Sequence, residues 1–116
     1  MYLIAKRFDF SASHQLDLGE GHPCARIHGH NYTVEIILGA EDLDDKGMVL
    51  DYGKLAPFKE VVNGLDHRHL NDVLPVEPTA ENIAHWLYSQ AIELWPNLVF
   101  AIRVSETGKT WAEYAR

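Results

Sequence analysis

A chain of 116 residues has room for a single domain, 1–116, and a domain of that length buries roughly two-thirds of the surface its unfolded form exposes, so it needs no metal merely to fold. Seventeen acidic residues against ten basic ones give a formal charge of −7, and the basic ones are scattered. That disfavours a nucleic-acid partner, while a small anionic substrate stays open because local donors or a metal can bind phosphate on an acidic protein. The lone cysteine, Cys24, precludes an internal disulfide and points to a reduced compartment. The opening MYLIAKRFDF carries Lys6, Arg7 and Asp9 inside its apolar stretch, so neither a signal peptide nor a membrane span is expected, and the chain reads as soluble and cytoplasmic.

The first predicted element is a half-buried strand over residues 2–14: Ile4, Phe8, Phe10, Ala12 and His14 share one face, Lys6 being the exception, and Arg7, Asp9, Ser11 and Ser13 share the other. A second strand spans 30–38, with Tyr32, Val34, Ile36 and Leu38 alternating against Asn31, Thr33 and Glu35, and Gly39 is expected to end it. A helix over about 52–64 follows from Leu55, Phe58, Val62 and Leu65, with Asp51 as N-cap. Pro57 is tolerated there only near the first turn, which then begins around Gly53. The next helix, 80–95, follows Pro78 and a capping Thr79, carries Ile83, Leu87, Ala91 and Leu94 on one side, and stops at Pro96. Strands over 98–105 and 110–115, separated by ETGK, complete a ββααββ order. The expected fold is α+β, an antiparallel sheet with both helices on one face. No proline or bulge signal blunts both of its edges, and edge-to-edge closure into a homo-oligomeric barrel is one way to remove them.

Residues two apart in a strand point to the same side, so His28 and His30 of "HGH" project together. If the first two strands pair as a hairpin, His14 comes to lie beside them. Three neutral imidazoles with a fourth position open are the donor set of a catalytic zinc, at Zn–N distances of about 2.0–2.1 Å. Cys24, four positions before His28, is either a fourth ligand that closes a structural zinc site or a free thiol near the metal acting as base or nucleophile. The first alternative describes a non-catalytic protein stapled by zinc. In "LDHRHLND", Asp66 directly precedes His67, and a carboxylate bonded to an imidazole fixes its tautomer and raises its basicity. His69 and His85 read as ordinary surface and packing residues. Glu106 follows a strongly apolar strand where an acid is out of pattern, and its two acceptor oxygens match a planar guanidine-like edge such as that of a pterin or guanine.

Six segments in order, FSASHQL, CARIHGHNY, GMVLDYGKL, LDHRHLN, PTAEN and VSET, resemble the 6-pyruvoyl-tetrahydropterin synthase family over nearly the whole chain. The short spacing from Cys24 to HGH, after EGH, is most similar to the bacterial 6-carboxy-5,6,7,8-tetrahydropterin synthase branch of queuosine biosynthesis. The resemblance implies Zn2+ held by His14, His28 and His30, with Cys24 a catalytic thiol rather than a ligand. It also implies Asp66 and His67 as a catalytic pair, and Glu106 with Thr107 beside it as the pterin anchor. It implies a tunnelling fold in which trimers close barrels that stack as hexamers, with sites at subunit interfaces. The implied substrate is 7,8-dihydroneopterin triphosphate. In the queuosine branch triphosphate is eliminated and a two-carbon fragment leaves as acetaldehyde, whereas the sister pyruvoyl enzymes eliminate triphosphate without that cleavage. Arg26 and Lys109 are candidates to hold the phosphates.

Overall fold

A computed structural model describes all residues, 1–116. Strand β1, Tyr2–His14, pairs antiparallel with β2, His28–Ala40, which pairs with β3, Val99–Thr107, and β3 with β4, Thr110–Ala115, in the order β1-β2-β3-β4. The alternation read from the sequence sets the register: Phe8 faces Val34, Phe10 faces Tyr32, Ala12 faces His30 and His14 faces His28. Had β1 slipped by one residue, all of these side chains would leave the core together. Phe10 and Tyr32 stack with ring centroids 4.7 Å apart.

Between β2 and β3 lie α1, Ala56–Asn63, the one-turn α2, Leu70–Val73, and α3, Ala80–Leu94. Both longer helices lie on one face of the sheet, α1 against β1 and α3, and α3 against β3 and β4. There Leu55, Phe58, Val62, Ile83 and Leu87 join Val34, Ile36, Leu38, Ile102 and Val104 in one core. Each such aliphatic or aromatic side chain contributes about 1.5–3 kcal/mol when fully buried. No helix is long and apolar enough to cross a membrane.

Several details depart from the sequence reading, among them that β3 runs on through Glu106 and Thr107, which leaves only residues 108 and 109 of ETGK as the turn. The helix expected over 52–64 is two pieces, a 3-10 turn over Tyr52–Leu55, where Asp51 Oδ1 accepts the Gly53 N–H at 2.9 Å, and then α1. Pro57 thereby falls in the first turn of α1, where its missing N–H costs nothing. Strand β2 does not stop at Gly39: residues 39 and 40 pair with Leu3 and Tyr2, and a Cβ at Gly39 would come within 2.8 Å of Leu3 Cδ2. At its other end β2 starts at His28, so both residues flanking Gly29 are in the strand. The register shifts between Ile37 and Leu38 and again between Val104 and Thr107, and the second irregularity lies just where Glu106 leaves the ladder. Helix α3 keeps its expected cap, with Thr79 Oγ1 accepting the Asn82 N–H at 3.1 Å.

The outer edge of β1 is partly covered. The His67 N–H donates to the Ser11 carbonyl at 2.6 Å, and the Ser13 N–H donates to the Arg68 carbonyl at 3.1 Å. Segment 67–69 is thus fused to β1 as a short parallel extension.

Candidate active site

The strand register delivers the three histidines to one point. His14 and His28 are cross-strand neighbours, and His30 faces the small Ala12, which leaves room for its ring. One ligand nitrogen from each lies within 4.8 Å of the other two. Cys24, half-buried on the 3-10 turn Pro23–Ala25, stands outside this group, so the cluster has three imidazoles and no thiolate.

Hydrogen bonds fix two of the tautomers. His14 is fully buried, with Nδ1 2.8 Å from the Pro78 carbonyl, and that oxygen can only accept, so Nδ1 carries the proton. His28 Nδ1 lies 2.7 Å from the Arg26 carbonyl and is protonated for the same reason. The two Nε2 atoms, both then bearing lone pairs, face each other at 2.9 Å. Two acceptors at that distance repel, and a cation bound between them removes the repulsion. His30 Nε2 is buried with no hydrogen-bond partner; the Glu106 carboxylate is 3.0 Å away, but out of line for an N–H bond. Desolvation holds the His30 pKa below its ordinary value, with His14 and His28 acting in the same direction and Glu106 against it. A neutral imidazole is the form that binds metal. Opposed lone pairs, an orphaned buried nitrogen and backbone carbonyls orienting two rings from behind fit a divalent metal that favours imidazole nitrogen.

Glu106, half-buried, lies near the end of β3 past Ile102 and Val104, within the strand and not in the turn expected to begin there. Its Oε2 lies 3.5 Å from His14 Nε2 and 3.0 Å from His30 Nε2. Burial, with Glu106 adding to it, pushes the Tyr32 hydroxyl well above its ordinary range, so it stays protonated 3.1 Å from His14 Nδ1. Thr107 is engaged in the β3–β4 turn, with Oγ1 accepting the Lys109 N–H and lying 3.2 Å from Thr110 Oγ1.

Asp66 and His67 form a bonded pair on the outer edge of β1. Asp66 Oδ1 accepts the Ser11 N–H at 2.8 Å, and Oδ2 lies 2.9 Å from His67 Nδ1. The Ser11 N–H, and after it His67, hold the Asp66 carboxyl below its usual pKa. With Nδ1 bound to the carboxylate, His67 presents Nε2 outward from an exposed ring. Its backbone is left-handed, at φ 58°, rare for a residue with a Cβ and tolerated because hydrogen bonds to β1 fix the chain on both sides.

A cavity of about 490 Å³ beside the Asp66–His67 pair is lined by Ser11, Ser13, Gly29, Asn31, His67 and Arg68 among others, with His69 at its wall, over the sheet face opposite the rings of His14, His28 and His30. Cys24 does not line it. The sequence reading set His69 aside, yet its Nδ1 is 2.9 Å from Ser13 Oγ in this cavity; the HRH run beside Asp66 was the signal. His85 stacks on Tyr114 with centroids 4.2 Å apart. Ser11, Asn31 and the Pro78 carbonyl had no local signature.

Comparison with known proteins agrees with this arrangement. A 6-carboxy-5,6,7,8-tetrahydropterin synthase from Synechocystis sp. is 36% identical over 98% of this chain and 93% of its own. A dihydroneopterin monophosphate aldolase from Pyrococcus furiosus is 36% identical over 88% of this chain and 85% of its own. The structure of Caenorhabditis elegans 6-pyruvoyl tetrahydropterin synthase superposes with a TM-score of 0.88 at 26% identity, covering 99% of this chain and 95% of that one. The family model for 6-pyruvoyl tetrahydropterin synthase matches residues 3–116, from the first strand through the histidine cluster to the last, and the chain therefore belongs to that family.

Proposed function

We propose that the chain is a zinc-dependent lyase. It converts 7,8-dihydroneopterin triphosphate and water to 6-carboxy-5,6,7,8-tetrahydropterin, acetaldehyde and triphosphate, a step toward queuosine. The observation that carries the reading is the convergence of His14, His28 and His30 beside Glu106, in a chain 36% identical over almost its full length to a synthase of that name.

The residues divide the work as follows. His14, His28 and His30 hold the metal, which supplies Lewis acidity to the side-chain hydroxyl oxygens of the substrate. Glu106 accepts the ring N–H and 2-amino donors of the pterin, turning from His30 toward the ligand, with Thr107 beside it. His67, oriented by Asp66, takes or returns a proton at Nε2. Cys24 does the same as a thiol on the other side of the substrate side chain. Within one chain Cys24 and His67 do not share a cavity. A site completed between subunits brings such groups together, so the active form is a homo-oligomer: three chains joined through the β1 and β4 edges, two such rings making a hexamer.

Product analysis by mass after incubating the zinc-loaded protein with the substrate tests this. Carboxytetrahydropterin with acetaldehyde supports it, and no turnover of the pterin overturns it. Two sister reactions have their own support. A 6-pyruvoyl-tetrahydropterin product would follow the C. elegans likeness, and 6-hydroxymethyl-dihydropterin would follow the aldolase relative. The presence of Cys24 favours the first assignment over these.

A further inference from the structure

Resting on that reading, in which Cys24 carries a proton, the turn that holds the thiol must itself be fixed, and the connection 15–27 contains no strand to fix it. We infer that Asn71 is a positioning residue for Cys24, acting through Gln15, so that one segment, residues 66–71, sets both His67 and the thiol.

The outer edge of β1 is bonded at every second residue. At Ser11 the N–H donates to Asp66 Oδ1 and the carbonyl accepts the His67 N–H, and at Ser13 the N–H donates to the Arg68 carbonyl. The segment therefore runs beside β1 as a short parallel partner, until its main chain turns into α2 at Leu70 and can supply no further rung. The next residue of the alternation is Gln15, and there the Asn71 side chain takes over. Asn71 Oδ1 accepts the Gln15 N–H at 2.9 Å, and Asn71 Nδ2 donates to the Gln15 carbonyl at 2.8 Å. A carboxamide carries the donor and acceptor of a peptide group side by side, so it extends the ladder by one residue; aspartate lacks the donor and alanine lacks both. No other hydrogen bond holds the Gln15 main chain, which lies one residue past the paired end of β1.

Gln15 passes the constraint on to the turn. Its Nε2 donates to the Ala25 carbonyl at 2.7 Å, and the next N–H, that of Leu16, donates to the Cys24 carbonyl at 2.9 Å. The Cys24 N–H donates to His22 Nδ1 at 3.0 Å, so both backbone groups of Cys24 are engaged. On the far side the Asp17 N–H donates to Glu77 Oε1 at 2.8 Å, which anchors this short stretch beside Pro78. Residues 15–17 thus form a brace between the 3-10 turn Pro23–Ala25 and α2, and Asn71 is its attachment to α2.

The chain has one cysteine, so alkylation by iodoacetamide reads this turn alone. The reaction is followed by mass on the zinc-loaded protein, far below its unfolding midpoint. The half-buried Cys24 of the parent reacts slowly. N71A loses two hydrogen bonds and raises the rate at least about fivefold through local opening of the turn, while Q15A, which loses one, raises it less. S89A, which removes a hydrogen bond within α3, leaves the rate unchanged. A parental rate in N71A or in Q15A, or an equal rise in S89A, would overturn the assignment. So would a lowered midpoint of N71A with a parental alkylation rate, since Asn71 would then be merely structural. Because alkylation needs no pterin, failure of the lyase reading leaves this result intact, and a parental rate here leaves the product analysis intact.

Discussion

Zinc added to the metal-free protein should stabilise it, and the amount can be worked from the site. Without a cation the Nε2 atoms of His14 and His28 oppose each other at 2.9 Å and His30 Nε2 has no partner. A ligand that binds only the folded form contributes about 2.7 kcal/mol at a hundredfold excess over its Kd. For a chain of 116 residues an unfolding entropy of about 2.1 cal/mol/K per residue converts each kcal/mol to about 4 °C, so the midpoint should rise by about 11 °C. Scanning calorimetry at fixed protein concentration, after chelation and again with zinc, measures this; concentration must be held because assembly also moves the midpoint. His28→Ala separates the metal from packing. His28 is only half-buried and its removal relieves the opposed lone pairs, so the metal-free midpoint should change little while the zinc shift falls below about 3 °C. His14→Ala should instead cost about 2–4 kcal/mol even without metal, because a fully buried ring and the donor to the Pro78 carbonyl are lost. A full zinc shift in His28→Ala, or none in the parent at saturating zinc, would refute the reasoning.

Cys24→Ala should retain bound zinc and the parental midpoint but lose turnover; loss of the metal with the thiol would restore the structural zinc alternative, measured by metal content against rate. Glu106→Ala should weaken pterin binding by about 2–5 kcal/mol, the cost of removing one partner of a desolvated charged contact, with zinc content unchanged, and a pterin bound as tightly as by the parent would return Glu106 to a structural role. Asp66→Asn should lower kcat by about 10²-fold or more with a smaller change in KM, because His67 loses the carboxylate that sets its tautomer. Asp66 also sets an acid limit. Its folded pKa lies below the ordinary 3.8, so the unfolded chain binds the proton more readily, and this contribution, complete above that value, disappears as pH falls through the folded pKa. Urea midpoints of parent and Asp66→Asn should therefore converge at low pH, and parallel curves would sink the linkage.

Much of this site could be read from the chain because the strand period did the geometric work. A two-residue period put His28 and His30 on one side and His14 at the end of the same buried face, and the hairpin register was fixed by Phe8, Phe10, Tyr32 and Val34, whose pattern has one burying solution. Glu106 was visible for another reason, as an acid following a strongly apolar strand. The 3-10 turn before α1 and the one-turn α2 escaped because so few residues carry no periodicity, although Pro57 gave away where α1 begins.

The groups that make the site chemically specific are of another kind. The Pro78 carbonyl that sets the His14 tautomer comes from a residue 64 positions away, and the Ser11 N–H that holds Asp66 ionised from one 55 positions away. Both are backbone groups, present at every residue and so silent in any sequence pattern. Side-chain identity names the candidate metal donors and proton carriers, while the main chain of other segments decides which nitrogen of His14 and of His28 is free. The left-handed backbone of His67 belongs with these: nothing in "LDHRH" requires it, yet with the His67 N–H donating to the Ser11 carbonyl and Asp66 Oδ1 accepting the Ser11 N–H, no glycine is needed to hold the turn. A substitution at Ser11 that displaced its backbone would disturb both Asp66 and His67 at once, which makes the β1 edge, and not either residue alone, the structural unit of the proposed proton-transfer pair.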